Sequence, residues 1–260
     1  MWGCQEGPPH APPSRRPAPP PPPAAGSAAL RTRIKICGLT REQDVDAAVA
    51  AGADAIGFVL YPPSPRAVTL QRAAALARRL PFVTPELLFV NPTREALLAS
   101  AQAIPGALLQ FHGDETPEQC TTWAQAAGCA FVRAARIPLG EAGARFDLLQ
   151  YASRYPEAQA ILLDAHVDGY GGGGKAFNWS LLPPSVDSHL VLSGGLTPAN
   201  VTDGIATLRP RCKTLAVDVS SGVEAEDAEG RPLKGIKDAD KILRFVSAVR
   251  AADAFCAEIP

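Results

Sequence analysis

The sequence predicts an α/β protein, a single-domain (β/α)8 barrel of the TIM type, preceded by a proline-rich N-terminal tail. Eight short apolar runs alternate with stretches rich in alanine and leucine. The seven steps from the end of the first run at Cys37 to the end of the last at Val219 average 26 residues, which suits a strand plus a helix. A doubly wound sheet is the alternative, but it usually has fewer strands and one switch point.

The first 30 residues differ in composition from the rest of the chain. Ten of the 26 prolines lie between Pro8 and Pro23. Proline has no backbone N–H for a helix or a sheet, so we expect a disordered or polyproline II tail. A secretory signal is disfavoured because prolines interrupt any apolar core, and an organellar signal is the lesser alternative. We therefore expect a tail over residues 1–30, a barrel over 31–254 and a C-terminal tail over 255–260.

The barrel elements follow in chain order. The predicted strands occupy residues 33–37, 55–58, 87–90, 108–112, 130–133, 160–164, 190–193 and 215–219. The predicted helices begin at threonine or aspartate caps and span residues 41–51, 69–80, 93–104, 116–127, 197–208 and 238–252. Thr40 is the expected N-cap of the first helix, and Gly52 its end. The helix after the sixth strand is poorly marked, because Pro183 and Pro184 interrupt it.

Charge and cysteine content exclude several classes of protein. With 25 Lys plus Arg and 26 Asp plus Glu, the net charge is -1, which disfavours nucleic acid and anionic membranes as partners. No run approaches the roughly 18 apolar residues of a membrane span. The six cysteines form no C-x-x-C pair and are too sparse for a disulfide scaffold. A reducing, cytoplasmic location is therefore expected.

In such a barrel, function resides at the C-terminal ends of the strands. Several chemically capable side chains are predicted there, and strand alternation decides which of them share a face. Alternation groups Lys35 with Cys37, Gln110 with His112, and Asp218 with Ser220, while Asp164 ends the sixth strand.

Each of these residues also has a purely structural interpretation. A cysteine at a strand end is most often packing. A lysine inside a barrel is costly unless it is paired, so an ion pair between Lys35 and an inward aspartate competes with a catalytic role. The convergence of a lysine, a cysteine, a histidine and two aspartates on one opening is what favours a site.

Two glycine-containing turns favour a phosphorylated ligand. Ser193, Gly194 and Gly195 follow the seventh strand, and Ser220 and Ser221 follow the eighth. Glycine lets backbone N–H groups approach an anion closely, and the turns after these two strands are where such barrels commonly bind phosphate.

Residues 169–175 nearly match the P-loop motif of nucleotide-binding proteins. However, Ala176 occupies the position at which a serine or threonine hydroxyl would bind magnesium. A glycine-rich loop over the barrel mouth is the better interpretation. Asp164, His166 and Asp168 lie along one loop without fixed geometry, so no metal site is predicted.

The motifs at the strand ends resemble those of the phosphoribosylanthranilate isomerase family of tryptophan biosynthesis. The resemblance runs from about residue 33 to 251 and is specific, because each motif sits at a different strand end. The proline-rich tail and residues 165–168 depart from the family pattern. The matching motifs are residues 35–40, 57–61, 64–66, 110–115, 162–164, 172–175, 192–196, 200–201, 218–224 and 235–238.

The resemblance implies roles for nine residues. Cys37 is implied as the general base, Asp164 as the general acid, and Arg66 as the partner of the anthranilate carboxylate. His112 and Asp218 are implied to line the substrate site. The amides implied to bind the phosphate belong to Gly194, Gly195, Ser220 and Ser221.

The implied reaction is an Amadori rearrangement of a phosphosugar, catalysed by an acid and a base without a cofactor. Lys35 is expected to favour the thiolate of Cys37. A metal-dependent epimerase, an indole-glycerol-phosphate synthase and a non-enzymatic phosphate-binding barrel are the alternatives. The resemblance leaves monomer and homodimer open.

Overall fold

The computed structural model describes residues 31–165 and 178–257, which form a closed barrel of eight parallel strands with helices outside it. Each strand is hydrogen-bonded to the next, and the eighth returns to the first. The predicted (β/α)8 barrel is therefore confirmed. The predicted tail over residues 1–30, the glycine-rich loop over 169–175, His166 and Asp168 lie outside the described residues.

All eight predicted strands are present. The third, seventh and eighth begin earlier than predicted, because an apolar run marks only the part of a strand that is buried on both faces. The strands are β1 (Arg33–Cys37), β2 (Ala55–Val59), β3 (Thr84–Phe89), β4 (Leu108–Phe111), β5 (Phe131–Ile137), β6 (Ala160–Ala165), β7 (Val186–Leu192) and β8 (Cys212–Val219).

The helices follow the predicted order, with two short additions after β5. The last helix continues to Ala257, beyond the predicted barrel end at residue 254. Between β6 and β7 the described residues form only a 3₁₀ turn, Trp179–Leu181. The helices are α1 (Glu42–Ala51), α2 (Leu70–Ala77), α3 (Arg94–Ala103), α4 (Pro117–Ala127), α5 (Glu141–Ala144), α6 (Leu148–Ser153), α7 (Val201–Leu208) and α8 (Ala239–Ala257).

Most predicted caps are present, but two are wrong. Thr69, Thr93 and Thr116 each accept a hydrogen bond from the backbone N–H three residues on. Thr40 does not cap α1, because its hydroxyl donates to the Gly235 carbonyl at 2.6 Å. The helix predicted from Thr197 begins at Val201 instead, because residues 197–200 form a turn.

A hairpin after β8 was not predicted. It consists of β9 (Glu224–Glu226) and β10 (Pro232–Lys237), preceded by a 3₁₀ turn, Ser221–Val223. The backbone N–H of Lys237 donates to Asp44 of α1 at 3.1 Å. This hydrogen bond holds the hairpin next to α1, close to the end of β1 at which Cys37 lies.

Apolar side chains fill the layer between strands and helices, including the fully buried Phe58, Phe111 and Phe245. Inside the barrel a smaller cluster of Val132, Ala134, Leu162 and Val191 comes from β5, β6 and β7. Polar side chains also point inward, among them Lys35 of β1, Glu86 of β3 and Gln110 of β4, and these belong to the candidate site. Within the described ranges, no helix is long and apolar enough to cross a membrane.

Candidate active site

Cys37 ends β1 as a buried thiol beside a glycine of the neighbouring strand. Its register partner on β2 is Gly57. A Cβ atom at position 57 would lie 2.7 Å from Cys37 Sγ, well inside van der Waals contact. The absence of a side chain at Gly57 thus makes room for the thiol.

Two opposing effects act on the pKa of Cys37, and the larger one is not the one expected from the sequence. Burial raises the pKa of the thiol to about 11, while the ammonium of Lys35 acts in the opposite direction. Lys35 therefore favours the thiolate, as expected, but burial has the larger effect. The raised pKa favours the protonated thiol of Cys37 at neutral pH.

Lys35 is held by two carboxylates inside the barrel. Its Nζ lies 2.9 Å from Glu86 Oε1 and 3.4 Å from Asp218 Oδ2. Burial opposes the charge, but Asp218, Cys37 and Glu86 outweigh it and raise the pKa of Lys35. The predicted alternative, an ion pair with an inward aspartate, is confirmed. Asp218 also accepts a hydrogen bond from Ser193 Oγ at 3.2 Å.

Glu86 was missed because the predicted third strand began one residue after it. Burial raises its pKa, and Lys35 acts against that rise. A buried lysine needs a carboxylate, and Glu86 precedes the apolar run by one position. That requirement was the signal available in the sequence.

Asp164 belongs to a hydrogen-bonded chain that crosses the barrel interior. Its Oδ2 lies 3.1 Å from His112 Nε2. His112 Nδ1 lies 2.7 Å from the amide nitrogen of Gln110, whose Oε1 accepts from Lys35 Nζ at 2.5 Å. All four side chains are buried. The structure thus brings together the predicted acid, the predicted histidine and the predicted lysine.

Arg66 is buried and bound by a carboxylate of the hairpin. Its Nε donates to Glu224 Oε1 at 2.6 Å, and its Nη2 donates to Glu224 Oε2 at 2.9 Å. This bidentate pair fixes the plane of the guanidinium. A ligand carboxylate, the partner that the resemblance implies, can approach through Nη1 and the second N–H group of Nη2.

Lys237 places a second buried cation next to the turn after β8. Its Nζ donates to the Ser220 carbonyl at 2.9 Å and lies 3.4 Å from Glu224 Oε1. Burial lowers the pKa of Lys237 to about 8, although Glu224 acts against this. Burial would raise the pKa of Glu224, but Arg66 and Lys237 outweigh it and lower that pKa.

Neither Glu224 nor Lys237 was assigned a role from the sequence. Both lie in motifs that support the resemblance, yet their partners are distant in the chain. A buried arginine near the strand ends, which requires a carboxylate, was the available signal.

The two turns expected to bind phosphate pack against each other. Gly194 and Gly195 have φ angles of +78° and +67°, which favour glycine. A Cβ at Gly222 would lie 1.9 Å from the carbonyl oxygen of Leu196. The turn after β8 can therefore approach the turn after β7 only because residue 222 is glycine.

The turn after β7 also touches the predicted acid. A Cβ at Gly194 would lie 2.8 Å from Asp164 Oδ1. Asn200 holds the turn from the other side, since its Nδ2 donates to the Gly195 carbonyl at 2.9 Å. In the described part of the chain, no three His, Cys, Asp or Glu side chains lie close enough together to hold a metal ion.

The chain is similar to known proteins along most of its length. A family model described as N-(5'phosphoribosyl)anthranilate (PRA) isomerase matches residues 34–248. N-(5'-phosphoribosyl)anthranilate isomerase of Methylibium petroleiphilum is 60% identical over 226 residues, which cover 86% of this chain and 97% of that protein. The protein of the same name from Leptothrix cholodnii is 60% identical over 225 residues, covering 86% and 93%.

Solved structures resemble the barrel closely. Phosphoribosyl anthranilate isomerase from Thermotoga maritima is 38% identical, with a TM-score of 0.71, and the match covers 85% of this chain and 99% of that one. A phosphoribosyl anthranilate isomerase in complex with reduced 1-(o-carboxyphenylamino)-1-deoxyribulose 5-phosphate is 34% identical, with a TM-score of 0.65 and the same coverage. The chain belongs to the N-(5'-phosphoribosyl)anthranilate isomerase family.

Proposed function

We propose that this chain is the isomerase that converts N-(5-phosphoribosyl)anthranilate into 1-(2-carboxyphenylamino)-1-deoxyribulose 5-phosphate in tryptophan biosynthesis. Membership of the family is the observation that carries the proposal. A structural neighbour that holds a reduced form of the product supports the same ligand class. The buried thiol and carboxyl group at the ends of β1 and β6 supply the acid and base that the reaction requires.

The first step is opening of the ribose ring. We assign Asp164 to protonate the ring oxygen, so that the C1–O bond breaks and the nitrogen lone pair forms a C1=N bond. The ring oxygen leaves as a hydroxyl group. The acid must hold its proton when the substrate arrives, and a positioned acid typically contributes ~10²–10⁴-fold in rate.

The second step is removal of the proton on sugar carbon 2. The positively charged imine accepts the electrons of that C–H bond, so no cofactor is needed. We assign Cys37, as thiolate, to take the proton. The resulting enol-amine becomes the ketone when its oxygen loses a proton and carbon 1 gains one, and atoms and charge balance without net redox change.

The substrate's charged ends have matching groups in the site. We assign the anthranilate carboxylate to Arg66, whose plane Glu224 fixes. His112 and Asp218 would line the sugar. For the phosphate we propose the packed turns after β7 and β8, with amides of Gly194, Gly195, Ser220 and Ser221.

We place the reaction in the cytoplasm. The four cysteines in the described part of the chain, Cys37, Cys120, Cys129 and Cys212, are free thiols, which fits a reducing compartment. For assembly we keep both a monomer and a homodimer. One structural neighbour is described as derived from a dimeric phosphoribosylanthranilate isomerase of Thermotoga maritima.

The purified full chain tests this proposal in an assay that follows the loss of phosphoribosylanthranilate fluorescence. We expect turnover, with the carboxyphenylamino-deoxyribulose phosphate as the product identified by mass spectrometry, and equal rates with and without EDTA. No turnover would refute the proposal. Activity abolished by the chelator and restored by a divalent metal would favour a metal-dependent epimerase type of reaction.

A further inference from the structure

We propose that Gln110 is a positioning residue, which holds His112 as a neutral imidazole with its proton on Nε2 and so keeps Asp164 able to act as an acid. The consequence for Asp164 rests on the proposed function. The protonation state of His112 does not rest on that function, because it follows from the hydrogen bonds within the barrel. No substrate group is needed to establish it.

The orientation of the Gln110 amide is determined by Lys35. An ammonium group has three donors and no acceptor. The Gln110 atom that faces Lys35 Nζ at 2.5 Å must therefore be the carbonyl oxygen. Lys35 itself is fixed by Glu86 and Asp218. The amide nitrogen of Gln110 is consequently the atom that faces His112.

That orientation selects one form of the imidazole. The Gln110 amide nitrogen, 2.7 Å from His112 Nδ1, has only hydrogens to offer. Nδ1 must accept and cannot carry a proton, so the single ring proton resides on Nε2. The Nε2–H then donates to Asp164 Oδ2 at 3.1 Å. This leaves Asp164 Oδ1, on the side of the Gly194 turn, to carry the catalytic proton.

The alternative state of His112 would oppose the acid. An imidazolium 3.1 Å from Asp164 would stabilise the deprotonated carboxylate. The charges around His112 do not prevent this by themselves. The carboxyl groups of Asp164 on β6 and Glu86 on β3 both interact with His112. Gln110, with no room for a proton between its amide and Nδ1, excludes it.

Gln110→Glu tests the proposal, because a carboxylate at this position would accept a proton from Nδ1. The ¹⁵N shifts of the His112 ring report its form without any substrate, and His112→Asn identifies the signals among the four histidines of the chain. In the wild type at pH 7.5 we expect a bare Nδ1 and a protonated Nε2. In Gln110→Glu we expect both nitrogens to be protonated.

Activity gives the second readout. In Gln110→Glu we expect kcat to fall by ~10–100-fold with a smaller change in KM. We also expect the decline of kcat at alkaline pH to begin about one pH unit lower than in the wild type. A purely structural role for Gln110 would not move that decline.

Gln102→Glu is the matched control, since it makes the same change at an exposed position of α3, and it should leave both readouts unchanged. A protonated Nδ1 in the wild type, or a ring that stays neutral in Gln110→Glu, would overturn the proposal.

If Gln110→Glu fails to fold, the ¹⁵N shifts of His112 in the wild type and in Gln110→Met test the proposal instead. Gln110→Met must then show a protonated fraction at Nδ1 that the wild type lacks, and equal spectra would overturn the proposal. A wild type without isomerase activity would refute the function and leave the state of His112 as measured.

Discussion

Cys37, to which we assign the role of the base, lies in a site that suppresses its negative charge. The thiol is 5% exposed, and burial raises its pKa to about 11 against the influence of Lys35. A base of this kind is largely unreactive until a substrate alters its surroundings. Below that pKa the thiolate fraction, and with it any reaction of the thiolate, rises about tenfold for each pH unit.

We therefore expect Cys37 to react slowly with iodoacetamide in the folded protein. At pH 7.5 its alkylation should be roughly 100-fold slower than that of a free thiol, whose pKa is near ~8.5. The rate should keep rising up to about pH 11. Mass spectrometry of the tryptic peptide that spans residues 36–41 measures this rate separately from the other cysteines.

The denatured protein serves as the control for that measurement, because unfolding removes the burial and should restore the rate of a free thiol. A folded-state rate that levels off near pH 8 would contradict the raised pKa. A reactive thiolate at neutral pH would instead mean that Lys35 dominates over burial.

At the scale of single residues, strand alternation correctly predicted that Cys37 shares a face with Lys35, and His112 with Gln110. It did not predict the partner of Arg66. Glu224 lies 158 residues away in a hairpin with no clear sequence pattern. An ion pair of that kind depends on the closure of the whole barrel and not on local spacing.

At the scale of elements, helix caps show where local rules suffice. Thr116 accepts from the N–H of Gln119, whose side chain accepts from the N–H of Thr116, which is a complete capping box. Nothing else in the described structure competes for these groups, so the local pattern is decisive. At Thr40 a tertiary partner, the Gly235 carbonyl, takes the hydroxyl, and the local pattern fails.

Replacing the cap of α4 should destabilise the protein by a small and measurable amount. We expect Thr116→Ala to lower the free energy of unfolding by about 1 kcal/mol, because the backbone N–H of Gln119 loses the hydroxyl that accepts its hydrogen bond. Urea unfolding followed by circular dichroism measures the change, and kcat should stay the same.

Thr122→Ala on the same helix is the control. Its exposed hydroxyl donates to the Glu118 carbonyl within the helix, and alanine is the better helix former. This variant should be as stable as the wild type or slightly more so. Equal losses in both variants would show that the cap contributes nothing specific.

At the scale of the whole molecule, the two ends of the described chain join where the barrel closes. β1 pairs with β8, and the backbone N–H of Thr32 donates to Asp253 of α8 at 3.0 Å. Arg209 bonds the same carboxylate. The regular repeat of strands predicted this closure, since eight β/α units suffice to close a barrel. The clamp itself joins residues far apart in the chain and has no local signature.

Because closure starts at Thr32 and the family match at residue 34, we propose that the barrel needs no residue before 31. Deleting residues 1–30 should leave kcat, KM and the unfolding midpoint unchanged. Steady-state kinetics and thermal unfolding of the truncated chain test this. A large loss of activity in a folded truncated chain would give the N-terminal segment a role in catalysis.

We propose that Cys37 and Asp164 are the base and the acid of a phosphoribosylanthranilate isomerase. The most direct test of these roles is the fluorescence assay on Cys37→Ala and Asp164→Asn, with circular dichroism to show that both variants fold. We expect each to lose at least about 100-fold in kcat, the contribution of one positioned acid or base. Turnover close to that of the wild type in either folded variant would contradict the claim.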